Sequence, residues 1–179
     1  MSSAQELVPS DVDHFGLLGL PRGFELDAED LERRYLALAS KVHPDRFANA
    51  EVSQRRRAME ASAAVNEAYR TLRDPVRRAE YLCRLGGIDL DSSDAEHGAP
   101  HMDQSFLVEM IERRETLDAK RAEGARALDE YRSSIEDEMD ATFDRAVVQL
   151  QGERVHDAAR TLVARRYLQR LVDEIDDAT

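Results

Sequence analysis

Apolar residues in this chain return every three or four positions, and the alternation of half-buried strands is missing, so the sequence can build little other than α-helices. The stops are as plain as the periodicity. His43-Pro44, Asp74-Pro75 and Gly86-Gly87 interrupt the pattern, because a residue before proline is pushed out of the helical region and glycine accepts the turn that ends a helix. The expected fold class is all-α.

Val12, Phe15, Leu18 and Leu20 begin a short apolar helix or turn that Pro21 closes. The segment LDAEDLERRYLALASKV follows. Asp27 is a suitable N-cap, Glu29 and Asp30 lie in the first turn, and Leu31, Tyr35, Leu38 and Val42 share one face. A longer helix is expected from about Glu51 to Leu72, with Met59, Ser62, Val65, Tyr69 and Leu72 as its inward stripe. Two such helices joined by a tight proline turn should lie antiparallel, leaving KVHPDRF (Lys41 to Phe47) exposed at the tip. A further helix is expected from Arg77 to Leu85, and DSSDAEHGAP, Asp91 to Pro100, reads as a linker. Three helical patterns come next, carrying Phe106, Met110 and Leu117, then Leu128 to Leu150, then Val155 to Ile175. Short connections between them favour an up-down three-helix bundle. The expected domains are residues 1–75 with the His-Pro-Asp turn at 43–45, a connecting helix and linker over 76–100, and the bundle over 101–179.

A net charge of −12 argues against nucleic acid or an anionic membrane as the main partner and favours protein. The charge is uneven. Residues 91–179 carry 22 acidic against 12 basic side chains, residues 1–90 carry 15 against 13. One cysteine, Cys83, leaves no intramolecular disulfide and no multi-thiolate metal site, which suits the reducing cytoplasm. The first residues show neither a signal-peptide apolar run nor an arginine before Arg22, and no stretch approaches the roughly 20 apolar residues of a membrane span.

Proline restricts His43 to an extended backbone, and Asp45 can bond the local backbone or pair with Arg46, so His43-Pro44-Asp45 forms a rigid polar knob. Arg33, Arg34 and Lys41 on the preceding helix put positive charge beside it, as docking on an acidic partner requires. The alternative is an ordinary helix-helix turn. His97 and His101 are four apart, yet Gly98 and Pro100 spoil any helix there, so they read as solvated rather than as metal ligands. Arg55-Arg56-Arg57 lacks the interleaved aromatics of a nucleic-acid site. Without a glycine-rich phosphate loop the chain is not itself an ATPase, and no catalytic residue, metal or cofactor is expected.

The amphipathic helix, VHPDRF and AAVNEAYRTLRDP together resemble the J-domain of DnaJ-class co-chaperones, which stimulate ATP hydrolysis by DnaK-type chaperones. More narrowly, DHFGLLGLP, VHPDRF, NEAYRTLRDPVRRAEYL and the acidic bundle with SFLVEMIERRETLD resemble the HscB family of iron-sulfur cluster assembly co-chaperones, over about Asp13 to Ile175. The resemblance implies a J-domain over 1–75 whose His43, Pro44 and Asp45, supported by Arg33, Arg34, Lys41 and Arg46, engage an HscA-type chaperone. It implies an iron-sulfur scaffold protein bound at Leu107, Val108, Ile111, Glu112 and Glu115, with Tyr167. Residue spacing agrees in part, because Leu107 and Ile111 lie off the Phe106, Met110, Leu117 stripe and, unless the bundle buries them too, form an exposed apolar patch rimmed by acids. The glycine/phenylalanine-rich segment and zinc region of general-purpose DnaJ proteins are absent, which points to a dedicated client. General folding assistance and a purely structural adaptor are the alternatives.

Overall fold

The computed structural model describes residues 12–177; the residues before Val12, on which the reading of a missing leader largely rests, lie outside them. Among the described residues the regular structure is helical: α1 (His14–Leu17), α2 (Ala28–Val42), a 3-10 turn (Pro44–Phe47), α3 (Val52–Arg73), α4 (Pro75–Leu85), α5 (Gln104–Glu123), α6 (Ala125–Gln151) and α7 (Val155–Asp176). The chain gathers into two compact units, 1–78 and 79–179.

In the first unit Asp27 caps α2 by accepting the Glu29 and Asp30 N–H groups at 2.9 and 3.1 Å. α2 and α3 run antiparallel. Val42 packs with Ala61 and Val65 at one end of the pair, and further along Tyr35 stacks on Tyr69 with ring centroids 4.0 Å apart. The Tyr35 hydroxyl donates to Asn66 Oδ1 at 3.0 Å, so the asparagine within NEAYR pins the two helices together. α1 packs on α3 and buries Phe15. The buried stripe of α3 differs from the expected one. It comprises Ala58, Ala61, Val65, Ala68 and Leu72, spaced three and four apart, while Met59 is 62% exposed. Close approach of the two helices selects small side chains, and Met59, one position from Ala58, is rotated about 100° from that seam.

Asp74-Pro75 ends α3 and also starts the next helix. The Asp74 carboxylate accepts the Val76 and Arg77 N–H groups, and Pro75 occupies the first helical position, where its missing N–H costs nothing. α4 therefore begins two residues before the expected Arg77.

In the second unit α6 and α7 pack along most of their length, and α5 lies chiefly on α6. Met110, Leu117, Leu128, Ile135, Leu168, Leu171, Val172 and Ile175 form the core. The segment read as a linker is instead a hydrogen-bonded loop. Asp89 N donates to the His97 carbonyl at 2.7 Å, Ala99 N to the Ser92 carbonyl at 3.0 Å, and the Asp94 carboxylate accepts the Glu96 and His97 N–H groups. A side chain at Gly98 would collide with the Asp94 and Ser92 carbonyl oxygens. Arg166 of α7 fastens this loop, donating to Glu80 at 2.7 Å and to the Leu90 carbonyl at 2.9 Å, with Asp91 at 2.9 Å. The hydrogen bond with Glu80 raises the Arg166 pKa above its ordinary value, the sense expected of a cation held by carboxylates.

Candidate functional site

His43 closes α2 with φ −58° and ψ 128°, the extended backbone that Pro44 imposes. Pro44 then opens the 3-10 turn, whose first bond runs from Arg46 N to the His43 carbonyl at 3.1 Å. The imidazole Nδ1 accepts the Asp45 N–H at 3.3 Å, and an imidazole accepting at Nδ1 carries its proton on Nε2. The turn thus presents a donor outward. Asp45 does not pair with Arg46: its carboxylate is 90% exposed and lies 3.6 Å from His43 Nδ1, while Arg46 reaches back toward the Ser40 carbonyl at 3.5 Å.

The four cations assigned to this surface separate into two groups. Lys41 and Arg46 flank the turn, and Lys41 is exposed with no ion pair among the described residues. Arg33 and Arg34 both hold Asp30, and Arg34 also donates to the Gly19 carbonyl at 2.6 Å, tying the loop after α1 to α2. They sit about 15 Å along the helix from His43 at 1.5 Å per residue. The positive charge beside the turn therefore comes from Lys41 and Arg46.

On α5, Phe106, Met110, Arg113 and Leu117 face the core, whereas Leu107, Val108 and Ile111 are 41%, 46% and 56% exposed. The two sets lie on opposite sides of the helix, as their spacing at 100° per residue requires. Glu112 and Glu115 share the exposed side and carry no ion pair among the described residues. Tyr167 of α7 is half-buried, edge-on to Phe106 with centroids 5.4 Å apart, so it backs this face rather than standing clear of it. The orientation of α5 is fixed by Arg113, whose guanidinium meets Glu109 at 2.6 Å and Glu138 at 2.7 Å. Burial works against the Arg113 charge, but the two carboxylates outweigh it and raise its pKa. Arg114 adds a bridge to Glu174 at 2.8 Å. Glu109 and Arg113 stand at helical i,i+4 spacing, but no short-range pattern announces the bridges to Glu138 and Glu174; their signal lay only in arginines placed next to an apolar stripe with glutamates on neighbouring helices.

Among the described residues no group of three His, Cys, Asp or Glu side chains is placed to hold a metal, and no helix is long and apolar enough to cross a membrane. Cys83 is buried, and burial pushes its thiol up to about 12, so it stays protonated and unreactive.

Residues 13–81 match the DnaJ domain family, and residues 102–176 match the HSCB C-terminal oligomerisation domain. The co-chaperone protein HscB homolog of Paraburkholderia phytofirmans is 38% identical over 163 residues, 90% of this chain and 91% of that protein. The chain belongs to the HscB co-chaperone family. The HscB homolog of Bordetella petrii is 49% identical over 113 residues, and that match spans 64% of its length. Two solved HscB structures share the fold: the Vibrio cholerae chaperone at 32% identity and a TM-score of 0.75, covering 93% of this chain and 96% of that one, and the human co-chaperone at 29% identity and 0.77, covering 94% and 83%. The His43 turn falls within the segment matched by the DnaJ domain, and the exposed α5 face within that matched by the HSCB C-terminal oligomerisation domain.

Proposed function

We propose that this HscB family member activates a partner ATPase and brings it a client. The His43-Pro44-Asp45 turn, with Lys41 and Arg46, docks on an HscA or DnaK-type chaperone and stimulates its ATP hydrolysis. The α5 face of Leu107, Val108, Ile111, Glu112 and Glu115, backed by Tyr167, holds the iron-sulfur scaffold protein. One molecule carrying both contacts raises the local concentration of client at the chaperone. The chain performs no chemistry; its turn binds the hydrolysis-competent conformation more tightly than the alternative and so shifts the chaperone toward it. Any iron-sulfur cluster is cargo of the client, and the cytoplasm is the compartment of action.

The observation that carries this reading is the His43 turn, locked locally while its Nε2 donor and the Asp45 carboxylate remain exposed. The test is steady-state ATP hydrolysis by the cognate chaperone, with and without scaffold, comparing the native chain with His43→Gln. Stimulation that requires His43 and grows synergistically with scaffold supports the proposal; stimulation indifferent to scaffold indicates a general folding co-chaperone. No stimulation by the native chain leaves a structural adaptor in which the tripeptide is only a turn.

A further inference from the structure

At the junction of α3 and α4, at the opposite end of the helical pair from His43, Arg70, Arg73 and Arg77 line one shallow concavity of about 270 Å³. Asp74 is the one carboxylate lining it, and it is occupied: it accepts the Val76 and Arg77 N–H groups at 2.9 and 3.0 Å as the cap of α4. Arg73 lies over the Tyr69 ring at 5.9 Å from its centroid, and Arg70 is held by Glu67. Arg77 is exposed and has no side-chain partner among the described residues. Three arginines, two of them already ordered, therefore line one concavity, and Arg73 and Arg77 carry no ion pair among the described residues. Arg70 also borders a second cleft walled by Tyr35, Ala63, Asn66 and Tyr69, so a cationic and an aromatic surface are continuous.

We infer that Arg70, Arg73 and Arg77 form a second docking site on the first unit, which takes an acidic segment of a partner protein. Guanidinium forks match carboxylates in pairs, and ordering them in advance lowers the entropy lost on binding. A short acidic segment meets only the concavity. A long polyanion would also meet the field of a chain with net charge −12, which repels it. The site lies about 30 Å along α3 from the His43 turn at 1.5 Å per residue, so one partner can touch both only by spanning the hairpin.

The test uses the full chain and a fluorescein-labelled twelve-residue peptide of glutamate and aspartate with one central phenylalanine, followed by fluorescence anisotropy at low and physiological salt. Binding is expected, weakening with salt, with Arg70→Gln/Arg73→Gln/Arg77→Gln reducing affinity about tenfold or more. Arg77→Gln alone, at an exposed unpaired position, should reduce it about threefold, whereas Lys41→Gln/Arg46→Gln should leave it unchanged. Circular dichroism reports whether the triple variant is folded; if it is not, Arg77→Gln decides. No peptide binding, indifference to Arg77→Gln, equal loss in the Lys41/Arg46 variant, or displacement by tripolyphosphate at peptide-equivalent concentration would each overturn the inference. Because the readout involves no chaperone, failure here leaves the proposed ATPase stimulation untouched, and failure of stimulation leaves this site standing.

Discussion

The His43 turn and the α5 face are both exposed surfaces, but they are held in place by different means. The backbone of the turn is set within six residues of His43, by the pre-proline conformation, the bond from Asp45 N to Nδ1 and Arg46 over the Ser40 carbonyl, and the short helix it opens also rests on α3. The α5 face is exposed only because Met110 and Leu117 are buried on the other side and because Arg113 reaches Glu138, 25 residues away. A locally determined surface survives changes elsewhere in the fold, whereas one determined by packing is lost with its core. Paired substitutions on α5 test this most strongly. Leu117→Ala, at 1% exposure, should destabilise the second unit by about 2–5 kcal/mol, while Ile111→Ala, six positions away and exposed, should change stability by less than about 0.5 kcal/mol. Urea unfolding followed by circular dichroism checks both, and comparable losses would mean that Ile111 belongs to the core.

In the binding experiment the same pair should reverse its ranking at low temperature, where Leu117→Ala remains folded. Ile111→Ala is then expected to cost scaffold affinity by about 2 kcal/mol, roughly thirtyfold, as for a central apolar contact. Titration calorimetry against the scaffold measures it. The corresponding change in the turn, His43→Gln, should lower ATPase stimulation by a similar factor with no shift in unfolding midpoint, because Pro44 and the bond to the His43 carbonyl keep the backbone in place.

Arg34 sharpens the comparison further. Sequence reasoning placed it with the docking cations, yet its guanidinium holds Asp30 and the Gly19 carbonyl. Arg34→Gln is therefore expected to destabilise the first unit by about 1 kcal/mol while reducing stimulation less than Lys41→Gln does. A thermal melt beside the ATPase assay separates the two roles. Loss of stimulation without loss of stability would return Arg34 to the docking surface.

What could be read in advance divides along the same line. Helix starts and stops were legible because Asp27, Pro44 and Pro75 act on their own neighbours, and the turn followed from them. The α5 patch was legible in part, since 100° per residue puts Leu107 and Ile111 off the Phe106, Met110 and Leu117 stripe. Choosing the larger apolar residues for the inner face of α3 missed the alanine seam, because closeness of approach to α2 is a property of the pair. The segment 91–100 looked like a linker because it is polar and rich in turn residues. Its closing bonds are local, but it is fastened to α7 by Arg166, more than sixty residues later, which no local pattern announces.

Asp13 provides the smallest and most specific test of a locally determined element. Its carboxylate accepts the Gly16 N–H at 2.8 Å as the cap of α1 and also pairs with Arg22. Burial acts to raise its pKa, but the Gly16 and Arg22 bonds prevail and hold it below the ordinary carboxylate value. A carboxylate with a depressed folded pKa contributes stability above its unfolded pKa and loses that contribution as pH falls through the folded value. Asp13→Asn should therefore cost about 1 kcal/mol or less at neutral pH, and the gap from the native chain should close as pH falls below the ordinary carboxylate value and through the lower folded one. Unfolding midpoints measured from pH 7 to pH 2 follow it directly. Because Asp13 acts on its own turn of helix and Leu117 lies in the other unit, the two substitutions should add within about 0.5 kcal/mol. A larger coupling would mean that the first unit's local devices depend on the bundle after all.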